Sequence, residues 1–255
     1  CNVEAEAWIL LYSLNLEAAD RLRAAACCIR AVDSPPPRCK DAGSVFQEDR
    51  NVLTLYYAPG ACSLAAHIVL EESGEKYEAK RVDFSKAEQR SEAYLQINPQ
   101  GRVPVLLLDN GEPLAENTAI LPYLGKRFGL WPKDAAAEAR ALSLIGFFAA
   151  SVHPAHAHIS RPERYATDKS YFPNIQEQGR KTFQLHLQQI DERLAGRQWL
   201  SDAYSTLDPY AFTFYTWGVR REVPMAEMKN YTAHKDRMLA RPAVRRIVED
   251  EKIKV

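Results

Sequence analysis

The chain has 255 residues, long enough for one large domain or two smaller ones, and 46% of them are hydrophobic, enough to bury a core. Thirty-three basic residues balance 33 acidic ones, so no global charge draws it to nucleic acid or an anionic membrane. No run of about 18 apolar residues is visible, so no membrane span is expected.

The first 51 residues read differently from the rest. Trp8–Leu16 is apolar and Ser34–Pro37 is rich in proline, with no periodicity linking them. The first Met is Met225, and strand pattern begins abruptly at Val52. Residues 1–51 are therefore expected to be an upstream extension, disordered or not native, and dispensable for folding. Four of the five cysteines, at 1, 27, 28 and 39, lie there, leaving Cys62 alone in the bulk of the chain. A disulfide framework would spread across the domain it staples, so a reducing compartment is expected.

Val52–Tyr57 reads as a strand ended by Pro59-Gly60, and Cys62–Ser73 as a helix stopped by Gly74. Tyr77–Val82 gives a second strand, Ala87–Leu95 a helix, and Val103–Leu108 an apolar third strand. Asn110-Gly111 then signals a hairpin into Pro113–Ala115, and Ala119–Arg127 forms a helix. Beyond Trp131-Pro132 only helices are expected. Ala135–Ser151 is one, Asn174 to Glu177 has the form of a capping box for another, Ser205–Asp208 opens a third, and Arg241-Pro242 a last. The prediction is an α/β domain ordered β-α-β-α-β-β-α over 52–131, followed by an all-α domain over 135–255.

The segment Leu55 to His67, containing Pro59-Gly60-Ala61-Cys62-Ser63, resembles the opening of bacterial beta-class glutathione transferases. Asn98 to Leu106, containing Val103-Pro104, and Leu114 to Ile120, containing Glu116-Asn117, are similar to that family's two glutathione-binding stretches, and Ser205–Asp208 to its helix-capping motif. The resemblance implies a thioredoxin-like domain followed by a helical one, and glutathione as cosubstrate with no metal. It also implies a hydrophobic electrophile as second substrate, a homodimer and a cytoplasmic setting in detoxification.

Cys62 before a helix start reads as a thiol whose pKa the helix terminus would lower, against the alternative of a small buried hydrophobe. No Cys-x-x-Cys pair is present, which disfavours a dithiol cycle but leaves exchange with glutathione mixed disulfides open. A cis bond before Pro104 would turn the Val103 backbone toward the cysteinyl unit of glutathione; a proline starting an edge strand is the alternative. Glu116 and Asn117 at a helix start suit the γ-glutamyl carboxylate, and Ser63 could hydrogen-bond the sulfur. Lys86 falls near the family's partner for the glycyl carboxylate, or is a surface lysine. Tyr57 is read as a packing residue.

By resemblance His153 lies near the glutathione sulfur. His153, His156 and His158 could also converge on a metal, or line a helix face. The aromatics Phe147, Phe148, Tyr165, Phe214, Tyr215 and Trp217 could wall an electrophile pocket or build the core. The rivals in function are a glutathione-dependent isomerase or dehalogenase, and a non-catalytic ligand- or protein-binding protein on the same fold.

Overall fold

The structure, a computed structural model, describes residues 52–255; the expectations for 1–51 lie outside the described residues. Strand β1 (Leu53–Tyr57) leads through a tight turn to α1 (Leu64–Ser73), β2 (Tyr77–Arg81) and α2 (Glu92–Ile97). A hairpin of β3 (Val105–Leu107) and β4 (Pro113–Ala115) precedes α3 (Asn117–Arg127). The sheet order is β2-β1-β3-β4, with β1 parallel to β2 and antiparallel to β3, so β1 is central. Leu53 and Leu55 of β1 and Leu106 of β3 bury their side chains under α1 and α3. This is the predicted thioredoxin-like arrangement.

The expected helix over 87–95 is shorter and later. Ala87 takes φ 55° between two single turns of 3-10 helix, and the Ser91 side chain then accepts the Tyr94 N–H to start α2 at Glu92. A side-chain cap, not the apolar pattern, sets that boundary.

Every described element after α3 is helical: α4 (Ala135–Phe147), α5 (His153–Ser160), α6 (Phe172–Arg193), α7 (Leu207–Arg220), α8 (Lys229–Ala240) and α9 (Pro242–Asp250), with short 3-10 turns between. A π-helical turn over 148–152 joins α4 to α5. Pro154 cannot donate to the carbonyl one turn back, and the widened turn beside it absorbs that mismatch. The joined helix, Ala135–Ser160, has a mean hydropathy of 1.4 over 18 residues, enough by length and composition to cross a membrane. Leu144, Ile145, Phe148, Val152 and Ile159 pack that helix into the shared core.

The capping box at Asn174 does not form. Helix α6 already begins at Phe172, with Pro173 in its first turn, and Asn174 lies inside it. No side chain caps the first turn of α7 at 205–208, but Asp208 accepts from Ser205 N–H (2.9 Å) and Oγ (3.3 Å). Its other oxygen takes Leu200 N–H and faces His234 Nε2, each at 3.0 Å. Helix α7 is buried on all sides from Leu207 to Gly218, which is what an apolar-all-round helix demands. Phe148, Phe214, Tyr215 and Trp217 belong to this core.

Gly179 of α6 sits where a Cβ would lie 2.8 Å from His158 Cβ and 3.1 Å from the Ala155 carbonyl. Gly179→Ala should therefore push α5 from α6 and cost roughly 1–3 kcal/mol in chemical denaturation. A neutral result would show that the helices part freely.

Candidate functional site

The turn between β1 and α1 carries Cys62, and residues of the strand-and-helix part and of the C-terminal helices build it together. Ser63 is fully buried; its Oγ accepts from Ala58 N–H (3.1 Å) and donates to Ala58 C=O (3.2 Å), closing the loop. Both its bonds are spent locally, so the expectation that Ser63 faces a ligand sulfur is corrected. The Gly60 peptide is gripped from the helical side: its C=O accepts from Trp217 Nε1 at 2.9 Å, and its N–H donates to Glu251 Oε2 at 2.8 Å. Gly60 takes φ 67°, a left-handed conformation that suits glycine. The other Glu251 oxygen meets His67 Nδ1 at 2.7 Å, in a site closed to solvent.

Cys62 is half-buried and its Sγ donates to the Val103 carbonyl at 3.3 Å. Its backbone carbonyl accepts from Asn117 Nδ2 at 2.9 Å. Thus Cys62, Val103 and Asn117, read from three separate stretches of sequence, converge. The Val103–Pro104 peptide is cis, and the Val103 N–H has no partner among the described residues. Glu116, at the head of α3, holds φ 69°, a strained conformation for a residue with a side chain. Beyond it the Asn117 and Thr118 N–H groups have no carbonyl within the helix to bond.

Cys62 does not have the lowered pKa expected of a cysteine at a helix start. Burial, then the Glu116 carboxylate, push the thiol up to about 12, outweighing the opposite pull of Arg161 and Arg102. Helix α1 begins only at Leu64, so Cys62 lies ahead of its first turn. At neutral pH the group is a thiol that donates a hydrogen bond. Alkylation of Cys62 by iodoacetamide, read by peptide mapping, should be about a thousandfold slower at pH 7.5 than for a free cysteine. It should still be accelerating above pH 9, where a free thiol would be levelling off; a plateau below pH 8 would contradict the assignment.

His153 opens α5 with its ring edge-on to Trp217, centroids 5.1 Å apart. Burial, then Arg161, Arg102 and Arg164, hold its pKa down at about 4, so it is neutral at pH 7. Cys62 and His153 thus feel the same two cations, Arg161 and Arg102. The three histidines do not converge. His156 stacks on Trp217 at 4.2 Å and accepts from Arg221 Nε, while His158 bonds Pro154 C=O and stacks on Tyr165 at 3.8 Å. Lys86 is exposed, 3.8 Å from Asp83. Tyr57 packs on His67, centroids 4.6 Å apart.

Glu251, Trp217 as a hydrogen-bond donor, and the arginines were not read from the sequence. A cavity of about 870 Å³, lined by Trp131, Arg140, Arg193 and Leu207 among others, contains none of these site residues.

A thioredoxin-like domain whose cysteine turn faces a cis-proline loop, backed by a helical domain, is the frame of the glutathione S-transferases. Residues 51–126 match the glutathione S-transferase N-terminal domain family. The chain is 31% identical to glutathione S-transferase GstA of Escherichia coli O157:H7 over 208 residues, 79% of this chain and 100% of that one. It is similar to a glutathione transferase homologue from Sulfitobacter solved with bound glutathione (34% identical, TM-score 0.75, covering 80% of this chain and 100% of that one). It is also similar to the beta-class enzyme of Sphingomonas chungbukensis (30% identical, TM-score 0.69, covering 78% and 98%). The chain belongs to the glutathione S-transferase family.

Proposed function

We propose that this transferase binds glutathione along Val103, Pro104, Glu116 and Asn117 and joins its sulfur to an electrophilic carbon beside Cys62 and His153. The observation that carries the reading is the convergence of Cys62 Sγ on the Val103 carbonyl, next to an unpartnered Val103 N–H. An extended peptide can pair with that free edge, as a strand adds to a sheet. The free N–H groups at the head of α3 suit the γ-glutamyl carboxylate. A protonated Cys62 thiol can donate to the glutathione thiolate, and the nearby arginines favour the charged form of that sulfur. His153, neutral at pH 7, carries one ring N–H that can serve as a second donor.

Conjugation is favoured over thiol exchange by the raised pKa of Cys62, since the thiolate is the form that attacks a disulfide. Exchange remains the second reading. A disulfide-bond oxidoreductase, YfcG of Escherichia coli, is 34% identical over 86 residues. The proposal includes a homodimer in the cytoplasm acting in detoxification, a division at 52–131 and 135–255, and a dispensable segment 1–51. Retention on immobilised glutathione with turnover of 1-chloro-2,4-dinitrobenzene is the expected result. Retention without turnover of that or any other electrophile would favour the binding-protein reading.

A further inference from the structure

Helix α2 is short, and two of its side chains converge on one carbonyl. The Ser91 side chain accepts the Tyr94 N–H at 3.2 Å and so fixes where the helix starts. Asn98 closes it, donating its own N–H to the Tyr94 carbonyl at 2.9 Å. Tyr94 and Asn98 are four residues apart and therefore lie on one face. From that face Tyr94 Oη donates to the Arg102 carbonyl at 2.7 Å, and Asn98 Nδ2 donates to the same oxygen at 2.8 Å. Asn98 also holds the chain between: its Oδ1 accepts from Gln100 N–H (3.1 Å) and its carbonyl from Gly101 N–H (2.9 Å). Both side chains are buried, and the Tyr94 ring meets Tyr56 edge-on, centroids 5.8 Å apart, which fixes where its hydroxyl points.

The Arg102 carbonyl and the Val103 N–H belong to one peptide unit. That unit is trans, the cis bond among the described residues being the next one along. In a planar trans unit the C=O and N–H point in opposite directions. Holding the oxygen with two donors from α2 therefore sets the direction of the Val103 N–H, which has no partner among the described residues. We infer that Tyr94 and Asn98 are positioning residues for glutathione: they aim the Val103 N–H at its cysteinyl backbone before the ligand arrives. They act through the peptide unit they hold. A group ordered in advance loses less freedom on binding, so the clasp adds affinity. The inference rests on the glutathione-binding reading.

Tyr94→Phe tests it, keeping the ring and removing the hydroxyl. Calorimetric titration with glutathione should give an affinity about three- to tenfold weaker than in the unaltered full chain, the range expected for one lost hydrogen bond. With 1-chloro-2,4-dinitrobenzene as electrophile, the KM for glutathione should rise by a similar factor, while kcat and the KM for the chloride stay within about twofold. In the unaltered chain glutathione should also slow hydrogen exchange at the Val103 amide, read by NMR, and slow it less in Tyr94→Phe at equal saturation. A purely structural role would lower stability in urea without this split and without a change at that amide. Equal affinity in the two proteins would overturn the inference and leave the glutathione reading standing. So would a comparable fall in kcat or a raised KM for the chloride, which would mean that the whole site had loosened. Absence of protection at Val103 in a chain that binds glutathione would also overturn it. If the unaltered chain takes up no glutathione, the binding reading falls first and the inference falls with it.

Discussion

Glu251→Ala should cost about 3–5 kcal/mol of stability, a large share of the roughly 5–15 kcal/mol that holds a typical domain together. The carboxylate is closed off from solvent and serves two donors, His67 Nδ1 at 2.7 Å and Gly60 N–H at 2.8 Å. Removing it leaves both without a partner in a buried place, and each unsatisfied group costs about 1–3 kcal/mol. His67 is itself wedged between Tyr57 and Tyr77, ring centroids 4.6 and 5.9 Å away, so water has little room to replace the lost oxygens. Glu251→Gln keeps the volume and one acceptor but turns an N–H₂ toward a donor, and should cost less. Deleting 251–255 should act like the alanine change. Urea unfolding with the slope held constant would read these differences, and a loss under 1 kcal/mol in Glu251→Ala would mean that the turn holds itself. Because Gly60 is two residues from Cys62, the alanine variant that remains folded should also show a raised KM for glutathione.

That contact also marks the boundary of what the sequence could tell. The α/β order was legible because each short strand is apolar and ends in turn chemistry: Pro59-Gly60, Gly74 and Asn110-Gly111 all fall where the chain reverses or stops. The convergence of Cys62, Val103 and Asn117 was legible through resemblance, since their three stretches keep a familiar order. Helix α8 was missed for a local reason. Its buried face is Tyr231, His234 and Met238, and a histidine at the centre of that face erases the apolar period. Glu251 was missed because its partner is 184 residues away, beyond any windowed pattern. The sign of the Cys62 shift failed for a different reason. Helix-terminus logic is a one-residue argument, whereas desolvation and the Glu116 carboxylate depend on what packs around the sulfur.

Cys62→Ala should separate the two chemistries the site could support. Glutathione affinity is expected to change by less than about tenfold, or 1.4 kcal/mol, because the binding groups proposed here are the Val103 backbone, the head of α3 and Glu116-Asn117. Conjugation should also survive within about tenfold: the attacking sulfur is glutathione's, His153 remains beside it, and Arg161 and Arg102 still favour its thiolate. Exchange with glutathione mixed disulfides should instead fall by about a hundredfold or more, since it needs a protein thiolate and Cys62 is the one cysteine among the described residues. The asymmetry follows from position. Alanine removes the sulfur that touches the Val103 carbonyl but not the Asn117 bond to the backbone of residue 62, so the loop keeps its place. Both activities would be measured on the same preparation beside a calorimetric titration with glutathione. Loss of conjugation and exchange together, with glutathione affinity intact, would make the Cys62 thiol essential to activating the bound sulfur and refute the division drawn here. Unchanged exchange would remove Cys62 from that chemistry altogether.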